Sequence, residues 1–324
     1  MAILVTGGAG YIGSHTVLEL LNKNEDVLVL DNLEYGHKEA VLNAKLIVGD
    51  LKDKDFVDKV FNDNNIEAVI HFAAYASVAE SMKNPLKYYD NNVSGTINLL
   101  NAMKNNNVSK IIFSSTAAVY YGDKNTPLNE DDLKLPKNVY GKTKLDVENI
   151  LESTRVAHGI NYVVLRYFNA SGAHESGLIG EAHKDETHLI PIVLQVALGE
   201  REKINIYGEN YNTKDGTCIR DYIHVSDLAN AHILALERLR TKNESGIYNL
   251  GNGEGFSVKE VVDKARLVTG VDIKSEIVER RPGDGHYLVA SSKKAREELG
   301  WEPKYTKLED IIETAWRWHK NKRY

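Results

Sequence analysis

The chain has 324 residues, 42% of them apolar, and its 46 acidic side chains outnumber its 40 basic ones for a formal charge of −6. This length and apolar content support one large domain or two domains with a substantial core; interspersed charge without a basic block argues against a nucleic-acid partner. Cys218 is the only cysteine, which excludes an intramolecular disulfide and a cysteine-based zinc cluster and fits a reducing, cytoplasmic compartment.

In chain order, "MAILVTG" has no charged leader or small-residue cleavage site and reads as a strand. "VTGGAGYIGSHT" then places Gly7, Gly10 and Gly13 between that strand and a helical stretch, "SHTVLELLNKN". Glycines there let backbone amides approach a pyrophosphate at a helix N-terminus, where unpaired N–H groups and the helix dipole favour an anion. Asp31 closes the next strand, "DVLVLDN", 18 residues after Gly13, where a carboxylate can accept from an adenine ribose. Such a carboxylate repels a 2′-phosphate and so favours NAD over NADP, although Lys38 follows in the next loop.

The alternation continues through "KLIVGDL", "DFVDKVFNDN", "AVIHFAA", "GTINLLNAMKNN", "KIIFSST", "LDVENILESTRVAHG" and "NYVVLRYFNA". Alternating strands and helices predict an α/β fold with a Rossmann-type doubly wound parallel sheet covered on both faces. Ligands of such sheets bind at the carboxyl ends of the strands, which singles out Asp50, Leu51, Ala73, Ala74, Ser115 and Thr116. No apolar run approaches the ~18 residues of a membrane helix. The 11 histidines include no HExxH-type pair, so no metal site is expected.

"PKNVYGKTK" sets Tyr140 and Lys144 one helical turn apart. With a helix starting near Asn138 the two share a face, and a cation beside a phenol lowers its pKa toward neutrality, giving a usable acid/base. Tyr120 and Lys124 have the same spacing, but Gly122 and a turn-like "NTPLNEDD" give no helix there. From about Ser171 the texture becomes loop-rich; "DYIHVSDLANAHILALERL" and "GIYNLGNG" later read again as helix and strand.

Together, TGGAGYIG, HFAA, a Ser/Thr-ended fifth strand, YxxxK, RYFNA and RDYIHV resemble the extended short-chain dehydrogenase/reductase family over nearly the whole chain. Within it, the nearest likeness is to members that invert C4 of a UDP-hexose. The resemblance implies an NAD-binding domain over residues 1–170, rejoined by about 221–256, and a smaller α/β domain over 171–324 that binds the nucleotide-sugar. It puts Thr116, Tyr140 and Lys144 in catalytic positions. Gly7, Gly10, Tyr11, Ile12, Gly13, Asp31, Asn32, Asp50, Leu51, Phe72, Ala73, Ala74, Asn91, Ser114 and Tyr167 would line the cofactor with Tyr140 and Lys144. Phe168, Asn169, Leu189, Asn205, Tyr207, Arg220, Arg281, Asp284 and Leu288 would join Thr116 around the UDP-sugar. Two arginines can pair bidentately with a pyrophosphate, and the Tyr207 ring could face the uracil.

Three positions depart from the family pattern. Ala76 stands where relatives can carry a lysine near the cofactor, His188 stands where some have asparagine, and Tyr121 adds a tyrosine that could push Tyr120 into or out of the sugar pocket. The implied reaction is reversible epimerisation through a 4-keto sugar with NAD retained. A UDP-uronic acid epimerase or decarboxylase, and a non-catalytic NAD-sensing protein, stay open as alternatives. A 4,6-dehydratase would need an acid/base pair where Ala117 and Ala118 stand. Leu288, smaller than the aromatic associated with exclusion of N-acetylated sugars, implies room for an acetamido group. The helices "GTINLLNAMKN" and "LDVENILESTRV" imply a two-fold dimer.

Overall fold

A computed structural model describes residues 1–122, 124–281 and 285–324. Six β-branched runs form the expected strands: β1 (Ala2–Thr6), β2 (Val27–Asp31), β3 (Lys45–Val48), β4 (Ile66–His71), β5 (Lys110–Thr116) and β6 (Asn161–Tyr167). The later strand Gly246–Leu250 pairs with β6 and completes a seven-stranded sheet. Its order is Gly246–Leu250, β6, β5, β4, β1, β2, β3, with every pairing parallel. The sheet therefore changes winding direction at β1, between β2 and β4, where the carboxyl ends of two strands part and leave a crevice for a ligand.

Strands buried on both faces need apolar residues at successive positions. Ile3, Leu4 and Val5 are all fully buried, with Ile3 and Val5 in one core and Leu4 in the other. The helix Tyr11–Asn22 packs beside Val225–Thr241 on the first of these faces. The helices Lys54–Asp63, Gly95–Asn105 and Val139–His158 cover the second.

Past β6 the chain builds smaller units. Asn169–Ser171 pairs in parallel with Tyr222–His224, Ile204–Tyr207 with Ser275–Val278, and Ile219–Arg220 lies between Phe256–Ser257 and Tyr287–Leu288. A separate core under these pieces unites the helices Leu189–Ala197, Val258–Thr269 and Leu308–Lys320. Two features were not foreseen. The first helix begins at Tyr11, a turn earlier than its apolar periodicity, because Gly10 caps it with backbone alone. The chain also passes through a π-helical turn, Tyr89–Ser94, before the helix Gly95–Asn105.

Candidate active site

The glycine turn leaves no room for side chains at two of its three glycines. A Cβ at Gly7, whose φ is +72°, would stand 2.5 Å from the Ala73 nitrogen, and one at Gly13 would stand 2.2 Å from the Gly7 carbonyl oxygen. The third glycine faces outward, since a Cβ at Gly10 would meet only the Gly7 oxygen at 3.4 Å. No side chain caps the helix that follows and no acidic residue sits in its first turn, so its leading N–H groups are left for an anion. Asp31 lies beneath. Its two carboxylate oxygens accept from the amides of Ala9 (3.0 Å) and Leu33 (2.9 Å), which keeps a second lone pair on each oxygen for a ligand hydroxyl. Burial raises its pKa, and the two amide bonds oppose that rise.

Asn32 donates to Asp50 at 3.2 Å, so the ends of β2 and β3 meet beside Asp31. From β4 the amides of Phe72 and Ala73 both donate to the Thr6 carbonyl, which draws that strand end against the glycine turn. Leu51 is buried, while Ile12 and Ala74 keep part of their surface open. Tyr11 instead turns its hydroxyl to the Gly172 carbonyl at 2.6 Å, tying the first helix to the chain beyond β6.

The second half of the site is the helix Val139–His158. Asn138 caps it by accepting from the Gly141 amide at 2.8 Å, which fixes its first turn and places Tyr140 and Lys144 on one face. Gly141 is required there, because a Cβ would stand 2.3 Å from the Ala118 carbonyl oxygen. This close approach presses the helix against the end of β5. The Thr116 hydroxyl lies near enough to the Tyr140 phenol to oppose the rise in its pKa, and the Lys144 ammonium donates to the Ser114 carbonyl at 2.7 Å. The Ser114 hydroxyl in turn bonds the Tyr167 hydroxyl at the end of β6. Ser115, by contrast, points away and donates to Glu148.

A buried hydrogen-bond chain holds the neighbouring elements. Thr96 gives its proton to the Asn92 carbonyl at 2.6 Å and so accepts from Nε2 of His71 at 2.9 Å, leaving Nδ1 to accept from Thr6 at 2.7 Å. His71 is thereby a neutral tautomer, and burial with the nearby Lys144 charge lowers its pKa to about 3. The Asn92 amide donates to Thr143 at 3.1 Å, whose hydroxyl returns to the Tyr140 carbonyl at 2.8 Å. Asn91 donates to the same Asn92 side chain at 3.0 Å. The two asparagines lie in the π-helical turn and Thr96 in the first turn of the helix that follows it.

The electrostatics reverse one expectation. Burial lowers the Lys144 pKa to about 7 and raises that of Tyr140 to about 12, the Thr116 hydroxyl opposing the latter. The Tyr140 ring keeps some exposure, and protein crowded about its hydroxyl drives the upward shift. In the free chain burial governs both groups, holding the phenol protonated and loosening the proton of Lys144.

Phe168 and Leu288 pack on one cluster with Tyr120, Val119 and Leu128, and Leu288 would meet a Cβ on Gly122 at 3.3 Å. Alternate strand residues face opposite ways, so Tyr287 points from that wall. Arg220 pairs in register with Leu288 and donates to the carbonyls of Ile219 and Gly285. Asn169 is pinned to the Asp221 carbonyl at 2.8 Å, and Leu189 opens the helix Leu189–Ala197. Asn205 and Tyr207 alternate with buried Ile204 and Ile206 and face outward, with the Arg281 guanidinium 4.5 Å above the Tyr207 ring. Asp284 lies outside the described residues.

Tyr120 settles away from this wall at its hydroxyl end. It accepts from Arg166 at 2.8 Å and donates to Asn249 at 2.7 Å inside a buried network, while Tyr121 stays exposed under Lys137. Lys124 pairs with Asp132, so the second Tyr/Lys spacing brings no pair together. Ala76 is exposed, and nearby Lys87 is committed to Glu80 at 2.8 Å.

Three further groups that the sequence reading passed over stand together with His188. Glu181, His183, Glu186 and His188 converge in the loop before Leu189. Their pattern, E-x-H-x-x-E-x-H, matches no helical ligand spacing because the segment is irregular, and only the density of His and Glu could have flagged it.

A parallel sheet that reverses at a glycine turn, with a Tyr/Lys helix pressed on its fifth strand, defines a nucleotide-cofactor enzyme of the doubly wound class. The chain belongs to the NAD dependent epimerase/dehydratase family, whose model matches residues 3–251. It is 57% identical over 320 residues to a UDP-glucose 4-epimerase from Halalkalibacterium halodurans, covering 99% of this chain and 96% of the relative. Its fold matches the UDP-glucose 4-epimerase of Brucella ovis in complex with NAD at a TM-score of 0.95 and 44% identity, over 97% of each chain. The enzyme of Bifidobacterium longum, in complex with NAD+ and UDP, matches at 0.93 and 41% identity over 99% of each.

Proposed function

We infer that this protein is an NAD-dependent isomerase that reversibly inverts C4 of a UDP-hexose, interconverting UDP-glucose and UDP-galactose. The observation that carries this reading is the convergence of Thr116, Tyr140 and Lys144 at the end of β5, on the cofactor side of the winding reversal.

The residues fit the cofactor. The bare turn at Gly7, Gly10 and Gly13, with uncapped amides behind it, suits a pyrophosphate. The Asp31 carboxylate, closed by the Ala9 and Leu33 amides, suits a ribose diol, and its charge disfavours a 2′-phosphate. Ser114, Tyr167 and Lys144 would hold the nicotinamide end. When bound, NAD supplies an oxidant that takes the C4 hydrogen with its electron pair and later returns it.

The chain's own groups move the proton. Tyr140 takes the 4-hydroxyl proton and gives it back, and Thr116 hydrogen-bonds the same oxygen and holds it against the phenol. Lys144, fixed on Ser114, steadies negative charge at the phenolic oxygen. Ala117 and Ala118 offer no further acid or base, which disfavours elimination of water. Arg220, Arg281 and Asn169 would bind the diphosphate, and the exposed Tyr207 ring would stack on the uracil. We assign residues 1–170, with 221–256, to cofactor binding and the remainder to the UDP-sugar, and we place the protein in the cytoplasm as a homodimer. None of the described helices is long and apolar enough to cross a membrane.

The direct test is to incubate the purified protein with UDP-glucose, UDP-galactose and UDP-glucuronic acid separately and identify products by NMR. Interconversion of the first two is expected, with Tyr140→Phe slower by at least ~100-fold, as for loss of a positioned acid/base. Turnover of the uronic acid alone would move the assignment to the rival activity.

A further inference from the structure

We propose that Glu181, His183, Glu186 and His188 form a binding site for one divalent transition-metal ion of the zinc type. Each offers one ligand atom, and the four atoms lie within 4.8 Å of one another. Several separations already suit a shared ion. Nδ1 of His183 is 3.3 Å from Oε1 of Glu181 and from Oε2 of Glu186, while Nδ1 of His188 is 3.4 Å from the other Glu186 oxygen, Oε1. Tetrahedral bonds of 2.0–2.2 Å set ligand atoms roughly 3.4 Å apart, so these edges need little adjustment. The fourth contact, His188 to Glu181 at 2.6 Å, would open by about 1 Å.

The surroundings are those of a held site rather than a surface cluster. Glu181 and Glu186 are 3% and 8% exposed, His188 stands at the open edge, and the two histidines are the partners of the buried carboxylates whose place an ion would share. The amides of Thr187 and His188 both donate to Oε1 of Glu186 at 2.8 Å, which orients the group and leaves Oε2 for a ligand role. The segment is anchored from outside: Trp318 donates to the Glu181 carbonyl at 2.8 Å, and the His37 ring bonds that of Ala182 at 2.7 Å. Two imidazoles with two carboxylates suit zinc and its neighbours, whereas magnesium prefers oxygen ligands and retained waters.

The position suggests what the ion does. His183 packs edge-on against Tyr11 of the cofactor-turn helix, ring centroids 6.4 Å apart, and His188 directly precedes the helix that opens with Leu189. An ion here would fasten the cofactor side of the cleft to a substrate-side helix.

The test uses the full-length untagged protein with its cofactor, treated with EDTA and desalted. Isothermal titration with zinc chloride should show one ion per chain, magnesium chloride should show none, and zinc should raise Tm by about 3 °C or more. Cobalt should give visible ligand-field bands that report inner-sphere nitrogen. Glu186→Gln, which keeps the shape of the loop, and His183→Gln should each weaken zinc at least tenfold. Substoichiometric zinc in the wild type, or wild-type affinity in both variants, overturns the proposal and leaves the four side chains as a salt-bridge network only.

Discussion

Tyr140 poses the central question at the scale of single residues, because its phenol is held protonated where a base is wanted. Burial puts its pKa at about 12 and that of Lys144 at about 7, so the free protein at neutral pH holds almost no phenolate. A positive charge brought beside the ring would lower the first value, and oxidised nicotinamide carries one. The expected outcome is a phenolate absorbance band, seen as wild type minus Tyr140→Phe, that titrates at least ~2 pH units lower in the NAD-loaded protein than in the cofactor-free one. Equal midpoints would show that Lys144 and Thr116 set the proton alone. Leu288 is the second residue with a sharp consequence. It faces the Gly122 loop beside Phe168, so the wall it forms is aliphatic and UDP-N-acetylglucosamine should be turned over. In Leu288→Tyr, kcat/KM for the acetylated sugar should fall ~10- to 100-fold relative to UDP-glucose, the range set by 1–3 kcal/mol of steric discrimination. An unchanged ratio removes Leu288 as the determinant.

Among the elements, the helices Gly95–Asn105 and Val139–His158 carry the site on one side and leave apolar residues outside. Ile97 and Val156 are exposed, as are Met82, Leu86 and Tyr89 on the turns before the first helix. Exposed apolar residues on neighbouring helices fit burial against a second copy, and light scattering at micromolar concentration should give twice the chain mass; a monomer mass would exclude the dimer. How well such elements could be read in advance followed from how local their causes are. The six strands and the Tyr140 helix were legible, because β-branched runs, Asn138 as cap and Gly141 act through neighbours in sequence. The π-helical turn at Tyr89–Ser94 was not, since it is held by Asn92 and Thr96 reaching Tyr75, Thr143 and His71 across the fold. For the same reason the Tyr/Lys spacing brought Tyr140 and Lys144 to one helix face but did not report their burial, which raises the pKa of the phenol and lowers that of the amine: spacing reports proximity, whereas desolvation depends on everything packed around the pair. The inward turn of Tyr120 rests on two partners, Arg166 and Asn249, with Glu148 holding Arg166 in turn, which no local pattern reveals.

For the whole molecule, the proposed arrangement is a sheet that would bind NAD at its winding reversal, with smaller units that would bring a UDP-sugar over Tyr140. Inversion without net oxidation requires that the hydrogen taken from C4 stay within the protein and return to the same carbon. The most direct measurement is therefore isotopic: UDP-[4-²H]glucose is converted by the protein as purified with its cofactor, in ordinary water, and the product is analysed by NMR. The account predicts UDP-galactose with deuterium retained at C4. Loss of the label to solvent, or a product changed at any carbon other than C4, would contradict it.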